Sequence, residues 1–184
     1  MTEGKRGRTM RSIFRAASER DLAEAWRFYE QVCAAQTESR YGPGWHFGIY
    51  PALEDIEDHT RRGELMLYLA DGRIAGAAVL TERDDPMYAS VLWPTAAAPE
   101  AVSVVHLLAV HPDFRGRGLA GALLDELIRL ARDKGKRCVR LDVVLGNLPA
   151  ERLYLGRGFR FVQERTVYYE DTGETVVRLF ELLL

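Results

Sequence analysis

The sequence predicts an α/β fold, because three local patterns place strands and helices in alternation. An apolar, β-branched run at 102–110 is followed by a glycine-containing loop and an amphipathic segment at 117–134. Two apolar runs, 65–70 and 74–81, flank an Asp-Gly pair, which is typical of a β-hairpin. A turn at 171–174 joins the last two apolar segments. We therefore expect helices between strands in the middle of the chain and antiparallel pairs toward both ends.

The other elements follow from apolar periodicity and turn residues. Ser18 or Asp21 can cap a helix that runs to about residue 38, and the glycines of 41–45 end it. Residues 82–100 contain three prolines and are typical of a long variable loop. The further predicted helices are 51–62 and 148–156. The further predicted strands are 13–17, 139–144, 159–169 and 175–183.

The composition describes one ordinary globular domain. The chain has 184 residues, a hydrophobic fraction of 47% and a net charge of -2, without the basic excess of a nucleic-acid-binding protein. Its apolar runs are too short to cross a bilayer, and Cys33 and Cys138 lack the spacing of a metal site or a disulfide framework. We therefore expect a cytoplasmic location, no metal, no membrane association and no nucleic-acid partner. The predicted organisation is a flexible tail at 1–10 and a single domain at 11–184, with the strand at 175–183 as a sheet edge that makes a homodimer possible.

The glycine-containing loop is the most informative functional signal. A strand, a glycine-rich turn and a helix in this order present unpaired N–H groups and a helix dipole to an anion. Gly116 and Gly118 would let those N–H groups approach a ligand without an intervening Cβ. The pattern predicts a phosphorylated ligand, and a plain tight turn is the structural alternative.

The segment from Gly116 to Gly121 also matches the GxGxxG pattern of dinucleotide-binding proteins, with Asp142 about 20 residues further on. This alternative predicts a nicotinamide-dependent oxidoreductase. Against it, five residues separate Val110 from Gly116, and about 100 residues precede the loop. The residues after Asp142 are also too few for the remaining βαβ units.

The segment from Arg115 to Ala120 resembles the corresponding loop of the GNAT superfamily of acetyl-CoA-dependent N-acetyltransferases. Residues 108–112 are similar to the bulged strand of that family, and residues 147–159 to its second acyl-CoA segment. The resemblance covers most of 13–165 and implies a mixed, splayed, twisted sheet flanked by helices. It also implies an acyltransferase that moves an acetyl group from acetyl-CoA to a primary amine of a small molecule or a peptide by direct attack.

The same resemblance implies a role for two backbone segments and one side chain. The first segment, whose amides would hold the pyrophosphate of CoA, comprises Arg115, Gly116, Arg117, Gly118, Leu119 and Ala120. The second segment, which would pair with the pantetheine arm, comprises Leu108, Ala109 and Val110. Asn147 would bond the pantetheine, and the alternative role of a helix N-cap is compatible with this one.

Tyr154 matches the general acid of the family, which protonates the departing thiolate; a packed aromatic residue is the alternative. His106 stands where many members have a glutamate base, and a hydrogen-bonded structural histidine is its alternative. His111 is expected on the surface. Trp45 and Tyr50 are the candidate acceptor-binding residues, near the acidic segment 51–62. A non-catalytic acyl-CoA sensor remains the alternative function.

Overall fold

The computed structural model describes residues 11–36, 42 and 44–184. The predicted tail at 1–10 lies outside the described residues, and the first helix ends at Ala34 and not near residue 38. The α-helices are α1 (Leu22–Ala34), α2 (Leu53–Arg61), α3 (Leu119–Asp133) and α4 (Leu148–Leu155). The strands are β1 (Ser12–Ala16), β2 (Leu65–Ala70), β3 (Arg73–Leu80), β4 (Val102–Val110), β5 (Cys138–Val144), β6 (Arg160–Tyr169) and β7 (Gly173–Leu183). The predicted elements are therefore confirmed, with boundaries shifted by one or two residues at most ends.

The strands form one mixed sheet in the order β1-β2-β3-β4-β5-β7-β6. Neighbouring strands are antiparallel except β4 and β5, which are parallel. Their pairing begins with Val102 opposite Cys138 and ends with Val104 opposite Arg140. Beyond that point the two strands continue without pairing, so the sheet splays and a cleft opens between them. A doubly wound dinucleotide fold requires a largely parallel sheet, so the alternative based on GxGxxG is wrong.

A bulge in β4 accompanies the splay. Ala109 lies opposite Ala77 and His106 lies opposite Val79, so β4 has one residue more than β3 between these pairings. Leu107, within the bulge, has a φ of 51°, which is unfavourable for a residue with a Cβ. The fully buried Tyr29 of α1 donates a hydrogen bond of 3.0 Å to the Leu107 carbonyl and so stabilises the bulge.

The helices cover both faces of the sheet. Helix α3 packs Leu123, Leu124 and Leu127 against one face, where all three are fully buried. Helix α1 packs Phe28 and Tyr29 against the other face. The sheet is therefore held between two apolar layers, and the cleft lies where β4 and β5 part.

Three expectations need correction. Strand β7 lies between β5 and β6 and is not a sheet edge, so the reason given for a homodimer is wrong. The predicted loop at 82–100 includes the short 3-10 helix Pro86–Tyr88, and its Tyr88 is buried, with 1% of the residue exposed. His111 is buried, with its Nε2 2.7 Å from Gln31 Oε1, because α1 packs over it.

Both cysteine thiols are free and buried, as expected from their isolated positions. In the part of the chain that the structure describes, no helix is long and apolar enough to span a bilayer.

Candidate active site

The N-terminus of α3 presents unpaired amides beside the cleft. Gly118 caps the helix with a φ of 75°, and Gly116 has a φ of 73°. At both glycines the space that a Cβ would occupy is open to a distance of 4 Å. The first intrahelical hydrogen bond joins the Ala122 N–H to the Gly118 carbonyl, at 3.1 Å. The amides of residues 116–121 therefore have no partner within the helix and are available to an anion, whereas the N–H of Arg115, which was also predicted to bind the pyrophosphate, donates to the Pro112 carbonyl at 3.2 Å.

A cavity of about 520 Å³, here called the loop cavity, lies between this helix N-terminus, β4 and α4. The predicted cofactor-binding residues that line it are Leu108, Ala109, Val110, Arg115, Gly118, Ala120 and Asn147. Three others do not line it. Leu119 is buried among apolar residues, and the Arg117 guanidinium turns back to donate to the Asp113 carbonyl at 3.0 Å. Gly116, Arg117 and Leu119 would therefore contribute backbone groups, and no side chains, to a ligand in the loop cavity.

A second cavity of about 300 Å³, here called the acidic cavity, lies deeper between β4 and β5. Its lining contains the predicted catalytic and acceptor residues His106, Tyr154, Trp45 and Tyr50. The residues that line both cavities are Leu108, Asn147, Ala150 and Trp45. The two cavities therefore adjoin at the bulge of β4, and a ligand in one can reach a ligand in the other.

Tyr154 is 7% exposed and makes an edge-to-face contact with Phe159, at 5.6 Å between ring centroids. Its hydroxyl has no hydrogen-bond partner among the described residues, although the residue lines the acidic cavity. Burial raises the pKa of Tyr154, and the negative charge of Asp142 raises it further. The side chain is therefore a neutral phenol at pH 7, with its proton available to a ligand.

The His106 imidazole faces the same cavity, with its Nε2 3.4 Å from Asp85 Oδ2. Burial lowers the pKa of His106, although the nearby charges of Asp142 and Asp85 oppose this shift. A neutral imidazole at pH 7 can accept a proton, which is the property required of a general base.

Sequence reasoning missed three carboxylates of the acidic cavity, namely Asp85, Asp142 and Asp171. Asp142 accepts hydrogen bonds from the hydroxyls of Tyr88, at 2.5 Å, and Tyr169, at 3.1 Å. The signal that could have found Asp142 is its position as a charged residue within the apolar strand β5. None of the acidic residues of α2 lines the cavity, so the acidic segment 51–62 does not contribute to it.

Asn147 has the position of an N-cap on α4, because its side-chain oxygen accepts from the Ala150 N–H at 3.4 Å. This hydrogen bond occupies the oxygen and leaves the side-chain amide hydrogens for another partner. Since Asn147 lines both cavities, the N-cap role and a ligand-binding role are compatible.

A buried arginine fixes the loop that carries Asp85. Arg140, 3% exposed, donates to Glu181 Oε1 at 3.1 Å and to the Thr95 carbonyl at 3.0 Å. It also pairs with Asp84, and its guanidinium lies 4.3 Å from the centroid of the Trp93 ring. These contacts join the loop at 82–100 to β5 and β7 and so hold one wall of the acidic cavity in place.

We expect the protein to lose stability as the pH falls from 7.5 to 5.5, because burial lowers the pKa of both His106 and His111. The unfolded chain, with histidine pKa values near about 6.5, then binds more protons than the folded one. Stability therefore rises with pH in this window. Urea unfolding at both pH values measures the change, about 1.4 kcal/mol for each unit of pKa difference. Between pH 7.5 and 5.5 a His106→Asn variant should lose less stability than the wild type. An equal loss would contradict a lowered pKa of His106 in the folded protein.

Comparison with known proteins agrees with the family resemblance of the sequence. The family model described as acetyltransferase (GNAT) family matches residues 27–159. An uncharacterised N-acetyltransferase of Methanocaldococcus jannaschii is 37% identical over 67 residues, which are 36% of this chain and 30% of that protein. The match thus spans less than a third of that relative's length.

Solved structures match along most of the chain. A GNAT-family acetyltransferase from Streptococcus agalactiae is similar with a TM-score of 0.78, at 19% identity over 94% of this chain and 95% of that one. A protein from Salmonella typhimurium solved with acetyl-CoA has a TM-score of 0.66, at 20% identity over 94% of each chain. At these identities the likeness concerns the fold, which is the mixed, splayed sheet that the sequence predicts. The family model, which covers more than two thirds of the chain, shows that this protein belongs to the acetyltransferase (GNAT) family.

Proposed function

We propose that the protein is an acyltransferase that transfers an acetyl group from acetyl-CoA to a primary amine of a small molecule or a peptide. The observation that carries this proposal is the pair of adjoining cavities. One has unpaired amides suited to a diphosphate, and the other has an imidazole and a phenol suited to proton transfer.

The groups that line the loop cavity suit the parts of acetyl-CoA. Its diphosphate would be held by the free backbone amides from Gly116 to Ala120, beside the open space at Gly118. Leu108, Ala109 and Val110 have no β5 partner because the strands have splayed, so their free backbone groups would pair with the pantetheine amides. The Asn147 side-chain amide lies close enough to the shared wall to donate to the same arm.

Acetyl-CoA supplies an acyl group activated as a thioester. His106 would take the proton that the attacking amine must lose as its nitrogen bonds to the acyl carbon. Tyr154 would donate its proton to the sulfur as the carbon–sulfur bond breaks. A backbone N–H of β4 would stabilise the negative charge that develops on the acyl oxygen. Both proton carriers return to their starting states through exchange with solvent, and Trp45 and Tyr50 would position the acceptor.

Gly118→Ala tests the diphosphate site, and Gly135→Ala is its matched control. Both glycines adopt positive φ at an end of α3, and neither has an atom within 4 Å of the added Cβ. Each variant should therefore lose about 1–2 kcal/mol of stability, since a left-handed conformation is unfavourable for alanine. Only Gly118→Ala should weaken acetyl-CoA binding, by about tenfold or more, because its methyl group enters the space between ligand and amides. Calorimetric titration with acetyl-CoA measures the affinity of each variant. Equal affinities of the two variants would contradict the proposed diphosphate site.

A non-catalytic acyl-CoA sensor is the competing function. It would bind acetyl-CoA in the same cavity but would have no use for an unpaired Tyr154 hydroxyl. Turnover with a panel of amines separates the two functions, because a sensor binds acetyl-CoA and releases no free thiol.

A cytoplasmic location and a homodimer are further proposals. Light scattering at micromolar concentration tests the homodimer.

A further inference from the structure

The acidic cavity carries more negative charge than the acetylation of a simple amine requires. Asp85, Asp142 and Asp171 line it, and no lysine or arginine among the described residues does. His106 is the one basic group in that lining, and it lies beside Asp85. The reacting amine must be neutral when it attacks, so its own charge cannot neutralise these carboxylates during the reaction.

Asp142 is positioned to accept further hydrogen bonds. Hydroxyls of Tyr88 and Tyr169 each donate to a different oxygen, and they use two of the roughly four acceptor positions of a carboxylate. Tyr88 is 1% exposed and therefore fixes the carboxylate rigidly. Among the described residues Asp142 has no ion-pair partner, although it lies at the wall of a cavity.

The walls of the cavity favour a cation on two further grounds. Trp45, Tyr50, Tyr154 and Tyr169 are aromatic lining residues, and aromatic faces attract ammonium and guanidinium groups. Asp171 is held in the wall by the His46 backbone N–H at 3.3 Å, with a side chain 5% exposed. Independently of these charges, the Tyr154 side chain is 7% exposed and lines the cavity with a hydroxyl that has no partner among the described residues, so the cavity offers a ligand a free hydrogen-bonding group.

We propose that the acceptor carries, besides the amine to be acetylated, a second cationic group that binds Asp142 within the acidic cavity. The class comprises short aliphatic diamines and peptides with a basic side chain next to the reacting amine. The inference rests on the proposed function for the position of the reacting amine, and on the cavity alone for the position of the cation. The volume of about 300 Å³ accommodates an acceptor of this size.

The test compares acceptors that carry a second cationic group, here called the charged members, with acceptors that lack it, using acetyl-CoA and measurement of thiol release. The first pair is 1,5-diaminopentane and n-pentylamine, and the second is alanyl-arginine amide and alanyl-norleucine amide. The charged member of at least one pair should have a kcat/KM about 10- to 100-fold higher, as expected for one hydrogen bond to a charged group. The pair that shows the difference identifies the source of the cation. Equal values within both pairs would overturn the inference.

Asp142→Asn should reduce this ratio toward one, whereas Asp133→Asn, at an exposed position on α3, should leave it unchanged. The comparison of ligands on the wild type remains decisive even if Asp142→Asn folds poorly. Calorimetric binding of 1,5-diaminopentane provides a readout that does not depend on turnover. Binding that requires Asp142, without acetyl transfer, would contradict the proposed function and support the cationic site. Equal transfer to both members of each pair would support the function and overturn the site.

Discussion

Replacing Tyr154 with phenylalanine is expected to lower kcat by about 10²- to 10⁴-fold, the usual contribution of a general acid. The substitution removes the hydroxyl that faces the acidic cavity and keeps the ring that packs against Phe159. Folding and the affinity for acetyl-CoA should therefore remain unchanged. Thiol release under saturating acetyl-CoA measures kcat, and calorimetry measures the affinity.

Tyr168→Phe is the matched control, because Tyr168 lies on β6 and is 76% exposed. It should retain wild-type kcat. If Tyr154→Phe also kept kcat within about threefold of the wild type, well below the general-acid range, Tyr154 would be a packed aromatic residue only. If the wild type itself released no thiol with any amine, the acyl-CoA sensor would be the better account.

Replacing Arg140 with methionine should destabilise the protein by about 3–5 kcal/mol, the cost of breaking a buried ion pair by removing one partner. The change leaves the buried Glu181 and the half-buried Asp84 without their cation and removes the donor to the Thr95 carbonyl. Urea unfolding measures the loss. Because the loop at 82–100 would also lose its attachment, KM for the acceptor should rise more than KM for acetyl-CoA.

Arg129→Met is the control for this prediction. Arg129 pairs with Glu126 and Asp133 on α3, but its side chain is 62% exposed. Surface ion pairs contribute about 0–1 kcal/mol, so this variant should be nearly as stable as the wild type. A loss at Arg140 no larger than the loss at Arg129 would show that the buried cluster does not fix the loop.

The strand and helix order was predictable because each element carries its own local pattern. The Asp-Gly hairpin is an example, since Asp71 and Gly72 both adopt positive φ, as its two-residue turn requires. The N-cap role of Asn147 was likewise readable, because a cap depends on residues within one helical turn.

The parts that sequence reasoning missed depend on contacts between distant segments. His111 follows a strand and precedes a proline, which suggests a surface position, but α1 covers it from 80 residues away in sequence. The loop at 82–100 has the composition of a variable connection, yet Tyr88 reaches Asp142 on β5. Strand β7 was expected at an edge, whereas it lies between β5 and β6, and β6 forms the edge.

The acidic cavity could not be predicted from the sequence, again because its residues come from distant segments. Asp85, Asp142 and Asp171 come from a loop, a strand and a turn that are far apart in the chain, and only the splay of β4 from β5 brings them to one wall. Four residues that line this cavity were predicted as catalytic or acceptor-binding residues from the sequence, namely His106, Tyr154, Trp45 and Tyr50.

The central claim is that the amides from Gly116 to Ala120 bind the diphosphate of CoA at the N-terminus of α3. A crystal structure of the protein with acetyl-CoA tests it most directly. The account predicts diphosphate oxygens within about 3.2 Å of these backbone nitrogens, with the thioester directed toward Tyr154. A structure with acetyl-CoA bound elsewhere, or with its diphosphate remote from this loop, would contradict it.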